Sequence, residues 1–249
     1  MTSSPLLEAR EVSVRFGGLI AVDAVSAAFG PGELVGIIGP NGAGKTTFFN
    51  ALSGVVAPTA GELYAMGDRL TGARPHRYAR HGVARTFQTP RTFAPLTVRD
   101  NVEFGLRFAG RSREGAGPLR DADALLELIG LRAQASLPAA AITPSQQRLL
   151  EIGMALATRP RVLLLDEVAA GLTDTEVEAM AALVRRLRDG FDLSVVWIEH
   201  AVTTLLRHVE RVIVLHQGRK IADGTPAEVI RDPEVVEAYL GDEPVELGR

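Results

Sequence analysis

The sequence predicts an α/β fold, in which a buried and mainly parallel sheet carries an antiparallel β layer beside it and a helical lobe inserted into it. Three observations predict this. Four short runs, ELVGIIG (33 to 39), RVLLLDE (161 to 167), LSVVWIE (193 to 199) and RVIVLHQ (211 to 217), are apolar on both alternating sets of positions. Strands of that kind are buried on both faces, as in parallel sheets. Helical periodicity separates the runs. From about residue 90 to 158 the strand signals vanish and only helical patterns remain.

In chain order, EVSVRF (11 to 16) and GELYAMG (61 to 67) supply the strands of the antiparallel layer. The run ending at Gly39 is followed by a glycine-rich turn and the helical stretch KTTFFNALSG. In the next region a Gly- and Arg-rich loop, GRSREGAGP (110 to 118), precedes the helical pattern DADALLELIG. At 143 to 146, Thr143 and Gln146 have the spacing of a capping box, with Pro144 at the first helical position. After Gly171 a second box is expected from Thr173 and Glu176; Val177, Met180, Ala181, Val184 and Leu187 then form one apolar face, and Gly190 ends the helix. RVIVLHQGRKIADG reads as a hairpin turning at Gln217-Gly218. The expected organisation is a core from residues 1–89 and 159–249 with the lobe at 90–158.

Composition narrows the function. At 249 residues, 46% hydrophobic and 23% charged with net charge −3, the chain is globular, and no apolar run approaches the roughly 18 residues of a membrane span. The first residues lack the basic and apolar stretches of a secretory signal, so a cytoplasmic location is expected. With no cysteine there are no disulfides and no thiolate metal sites. Near-neutral charge speaks against a nucleic-acid partner. One basic segment runs from Arg69 to Arg91, through Arg74, His76, Arg77, Arg80, His81 and Arg85, and reads first as a solvated face, with contact to a partner or to anionic lipid as the alternative. Of 27 basic residues only Lys45 and Lys220 are lysines. A lysine inside the glycine-rich turn therefore points to a chemical need for a compact ammonium.

That turn, Gly39-Pro40-Asn41-Gly42-Ala43-Gly44-Lys45-Thr46, fits G-x-x-x-x-G-K-[ST] and stands between a strand and a helix, as a phosphate loop must. Its backbone N–H groups and the helix N-terminus suit phosphate oxygens, Lys45 the β- and γ-phosphates, and Thr46, with Thr47 beside it, the Mg²⁺ end of the site. The core is thus predicted to be a P-loop NTPase of the RecA-like type, binding ATP with Mg²⁺. Asp166, at the tip of RVLLLD, is placed to hold the metal, and Glu167 to orient or deprotonate the attacking water.

With GPNGAGKTT, RTFQ, LLLDE and IEH in this order, nearly the whole chain resembles the ATP-binding subunits of ABC transporters. The resemblance implies that Gln88 is the Q-loop glutamine approaching Mg²⁺ and the membrane subunit, that His200 is the switch histidine at the γ-phosphate, and that Phe16 stacks on adenine. It aligns Ile142-Thr143-Pro144-Ser145-Gln146 with the signature L-S-G-G-Q, whose helix tip meets nucleotide held by the opposite subunit. Both glycines are absent here. Pro144 removes an N–H donor and Ser145 adds a Cβ, so Thr143, Ser145 and Gln146 are expected to dock on nucleotide with a weaker grip. Val168 stands where the Walker B element often has proline, and Thr173 where a D-loop often has aspartate. VARTFQTPRTFAPLTVRDNV, DEVAAGL and PEVVEAYLGDE look most like ATPases of importers for branched-chain and related amino acids or amides. The expectation is an Mg-dependent ATPase on the inner face of the cell membrane, paired with an identical or related ATPase, bound to permease subunits and served indirectly by a periplasmic binding protein. The alternatives are lipid or lipopolysaccharide export, and a subunit of little turnover with a regulatory role.

Overall fold

The computed structural model of the chain describes residues 4–108, 117–199 and 202–240. Its strands are β1 (Leu7–Phe16), β2 (Leu19–Phe29), β3 (Leu34–Ile38), β4 (Ala60–Ala65), β5 (Asp68–Arg69), β6 (Val83–Arg85), β7 (Val162–Asp166), β8 (Ser194–Ile198), β9 (Arg211–His216) and β10 (Arg219–Gly224). The α-helices are α1 (Lys45–Leu52), α2 (Pro75–Arg80), α3 (Val98–Phe108), α4 (Ala122–Leu128), α5 (Pro144–Ala157), α6 (Asp174–Phe191), α7 (Val202–Leu206), α8 (Pro226–Val229) and α9 (Pro233–Leu240).

The central sheet runs β10-β9-β3-β8-β7-β6, parallel except for the β9–β10 hairpin. Successive residues of each strand alternate between two cores. Leu163, Leu165, Val195 and Trp197 face one core, while Val162, Leu164, Val196 and Ile198 face the other. That is why these runs are apolar throughout. Full burial of each such side chain is worth roughly 1.5–3 kcal/mol, and all eight are 0% exposed.

The antiparallel sheet, ordered β2-β1-β4-β5, covers the second core. Its strand β2 was not expected, because an alanine-rich LIAVDAVSAAF has little β-propensity of its own. Pairing with β1 makes it a strand, and Val22, Val25, Ala27 and Phe29 then reach the core. Glu11 and Ala24 both take positive φ, 49° each, at bulges in this pair.

Between β6 and β7 the regular elements of the described chain are all helical, as expected, with an isolated bridge of Thr97 with Pro138. Helices α3 and α5 cross closely, since a Cβ on Gly105 would lie 2.7 Å from the Ala157 Cβ and the Met154 carbonyl. Most of GRSREGAGP lies outside the described residues. Helix α6 carries its expected capping box and apolar face, but it passes Gly190 and ends at Phe191, with Asp192 left-handed at φ 49°. Phe191 packs against the first core and holds the last turn down. The β9–β10 turn forms at Gln217 and Gly218, with φ 47° and 81°, the twist a two-residue hairpin needs.

Candidate functional site

The parallel strands β3, β7 and β8 point their carboxyl ends to one edge of the sheet, where open α/β sheets bind ligands. The phosphate loop leaves β3 there. Gly39 and Gly44 are required by close backbone approach: an added Cβ would lie 2.1 Å from the Leu215 carbonyl oxygen at Gly39, and 2.3 Å from that of Ala21 at Gly44. Gly42, at φ 78°, faces open space. Among the described residues the amides of Gly42, Gly44, Lys45, Thr46 and Thr47 have no acceptor within the protein. Five outward donors at a helix N-terminus form a cradle for an anion, so the residues present fit a polyphosphate. Lys45 is buried, and its ammonium donates to the carbonyls of Gly39 (2.5 Å) and Pro40 (2.9 Å). Burial pushes its pKa down, and the charge of Glu167 partly offsets this.

Asp166 ends β7 and Glu167 follows in a left-handed conformation, φ 50°, that only surrounding contacts sustain in a residue with a side chain. Both are buried. The Glu167 amide donates to the Ile198 carbonyl at 3.0 Å, and the Gln88 side-chain amide donates to the Glu167 carboxylate at 2.6 Å. Two residues 79 apart in sequence are thereby brought together. Thr46 is exposed in the first turn of α1 and Thr47 half-buried. His200 lies outside the described residues. Its neighbour Glu199 is buried and accepts hydrogen bonds at 2.8 Å from both the Ala169 amide and the Trp197 indole.

Three charged side chains beside these residues escaped the sequence reading. Arg85, assigned with the basic segment to solvent, instead has its side chain turned inward, 8% exposed: it donates to Asp166 (2.8 Å), Asn50 (2.7 Å) and Ser53 (2.9 Å), while its neighbours Arg74, His76, Arg77 and Arg80 are exposed as expected. Glu151 on α5 is buried and accepts from the amides of Phe87 and Arg91; burial pushes its carboxyl up to about 7. Arg148, also on α5, donates to the Glu167 carbonyl at 2.6 Å. Nothing in the local sequence distinguishes these charges from solvated ones.

At the tip of α5 the capping box forms, with the Gln146 amide 3.3 Å from the Thr143 hydroxyl, the Thr143 amide 3.0 Å from the Gln146 side chain, and Pro144 in the first turn. The Ser145 hydroxyl lies 3.1 Å from that of Thr143. Phe16, by contrast, closes β1 and is 52% exposed, so it belongs to no core. It shares the tip of the β1–β2 hairpin with exposed Leu19 and Ile20, and the start of β2 touches the phosphate loop where Ala21 meets Gly44.

The model of the family described as "ABC transporter" matches residues 22–170, and that described as "Branched-chain amino acid ATP-binding cassette transporter" matches residues 219–245. The chain is 38% identical to the high-affinity branched-chain amino acid transport ATP-binding protein BraF of Pseudomonas aeruginosa, over 96% of this chain and 99% of that one. It is equally identical, at 38% over 96% and 99%, to LivG of Escherichia coli, which carries the same description. Among solved structures, the ADP conformation of MJ1267, an ATP-binding cassette of an ABC transporter, superposes with a TM-score of 0.85 at 29% identity, covering 96% of this chain and all of that one.

Proposed function

Since the chain belongs to the ABC transporter family of ATP-binding proteins, we propose that it is the Mg-dependent ATPase of an importer for branched-chain or related amino acids or amides. The observation that carries this reading is the convergence of the loop amides, Lys45, Asp166, Glu167 and Gln88 at the carboxyl edge of one sheet. The loop amides and Lys45 bind the phosphates. Thr46, Asp166 and Gln88 would hold the magnesium ion, which would neutralise charge on the phosphoryl oxygens. Glu167, steadied by Gln88, takes the proton of the attacking water. Phe16 stacks on the adenine, and His200 completes the γ-phosphate contacts.

The substrate class follows from the likeness to BraF and LivG and from the match at 219–245. In the working assembly a second ATPase subunit faces this one, so that Thr143, Ser145 and Gln146 of each chain close on the nucleotide of the other. Residues 90–158 move as a lobe. Phe93 and Phe104, exposed with ring centroids 4.6 Å apart, lie on the lobe close in sequence to Gln88 and offer an apolar seat for a permease subunit, which holds the chain at the inner face of the membrane. The periplasmic binding protein acts through those permeases. Among the described residues no helix is long and apolar enough to cross a membrane.

The test is binding and hydrolysis of Mg-ATP by the purified chain and its variants. Lys45→Ala is expected to abolish binding, whereas Glu167→Gln retains ATP and loses hydrolysis by about 100-fold or more, within the range for loss of a general base. A folded wild-type chain that binds no ATP, or a Glu167→Gln variant that hydrolyses at the wild-type rate, refutes the assignment.

A further inference from the structure

Residues 87–92, which carry Gln88, are poorly secured by their own backbone. Among the described residues this segment makes no main-chain to main-chain hydrogen bond, although Thr86 just before it is bonded to Leu164 in the sheet. Its anchors come from one side chain. The two carboxylate oxygens of Glu151 accept from the Phe87 amide (3.2 Å) and the Arg91 amide (2.9 Å), on either side of Gln88. One turn nearer the tip of α5, Arg148 donates to the main-chain carbonyl of Glu167 at 2.6 Å and so braces its left-handed backbone. Gln88 and Glu167 in turn touch each other at 2.6 Å. Ser145, Arg148 and Glu151 follow at intervals of three and form one stripe along α5. Leu150, Ile152 and Leu156 are fully buried, so the helix is packed into the first core along the same stretch.

We propose that Glu151 and Arg148 are positioning residues through which α5 sets Gln88 and Glu167, so that nucleotide held by the partner subunit at the tip of α5 fixes the geometry at this chain's own phosphate loop. The proposal rests on the reading above, in which that tip meets the partner's nucleotide. Only about 9 Å of helix separates Ser145 from Glu151 at 1.5 Å per residue. A shift of 1–2 Å at the tip, the scale of helix movements in switching proteins, therefore reaches both groups undiminished. Misplacement on that scale is enough to lower a rate by about 100-fold.

The experiment compares wild type, Glu151→Ala, Glu151→Gln, Arg148→Ala and Arg148→Lys in the chain assembled with its partner ATPase and permeases. The measurements are ATP affinity, the dependence of hydrolysis rate on ATP concentration, and transport per ATP. For the two alanine variants the expected result is an ATP Kd within about twofold of wild type, a kcat lower by about 10- to 100-fold, a Hill coefficient for ATP reduced to about 1, and fewer molecules transported per ATP. Glu151→Gln, which keeps one acceptor oxygen, and Arg148→Lys, which keeps a donor, fall between. If kcat, Hill coefficient and transport ratio match wild type in folded variants, or if affinity falls in step with kcat, the proposal is overturned. Failure of the wild-type chain to bind ATP with Lys45 intact is a separate result, which removes the reading of the site and this inference with it.

Discussion

The Arg85 side chain is 8% exposed and Asp166 4%, and the guanidinium spends its donors on that carboxylate, on Asn50, on Ser53 and on the Thr86 carbonyl. Burial, helped by the like charge of Arg91, drives the guanidinium pKa down, and Asp166 works against that shift. A buried ion pair is weak evidence of net stability, yet removing one partner strands the other charge, at a cost of about 3–5 kcal/mol. Arg85→Met is expected to lose stability in that range when unfolded by urea, and a loss under about 1 kcal/mol would show that water or other donors already satisfy Asp166. The sequence marked Asp166 and Glu167 because two acids at the end of an apolar strand beside a phosphate loop have few other uses. It did not mark Arg85, Arg148 or Glu151. A single charge in a basic run or on a helix looks the same whether it meets water or a partner 19 to 81 residues away.

At the level of elements, the tip of α5 shows how local rules survive an unusual sequence. Thr143, Pro144 and Gln146 build the cap that their spacing foretells. Ser145 turns its hydroxyl toward Thr143, and after the two hydrogen bonds from Thr173 it also helps hold the Glu176 carboxyl below its ordinary range. The tip is stable, but Pro144 offers no N–H and the Ser145 hydroxyl is engaged within the chain. Replacing Pro144 and Ser145 together by glycine is expected to raise the turnover of the assembled transporter severalfold, because one backbone N–H is restored at 144 and the Cβ that hinders close approach to phosphate is removed at 145. Unchanged turnover would mean that the tip already grips fully. Other elements show where local rules stop. Strand β2 exists because β1 supplies a partner. The end of α6 passes Gly190 because Phe191 finds a core contact worth more than an early stop.

Over the whole molecule, the central sheet divides two cores, and the second is closed at its margin by Tyr78, which is 1% exposed and donates to the Leu70 carbonyl at 2.9 Å. Burial raises its pKa from 10 to about 12. Stability supplied by the neutral phenol is therefore complete below about pH 10, the unfolded value, and is lost as pH rises through about 12. Tyr78→Phe is expected to cost about 1 kcal/mol at neutral pH for the lost hydrogen bond and to flatten the alkaline fall in the urea midpoint. An unaltered alkaline fall would assign it to other groups. By itself the sequence determined the fold class, the phosphate loop, the paired acids and the helix caps, because each is written in neighbouring residues through period, spacing or turn chemistry. Only the tertiary structure decided which charges are buried, what joins Gln88 to Glu167, and how α5 reaches both, because those contacts depend on distances between segments far apart in the chain, and no local pattern encodes them.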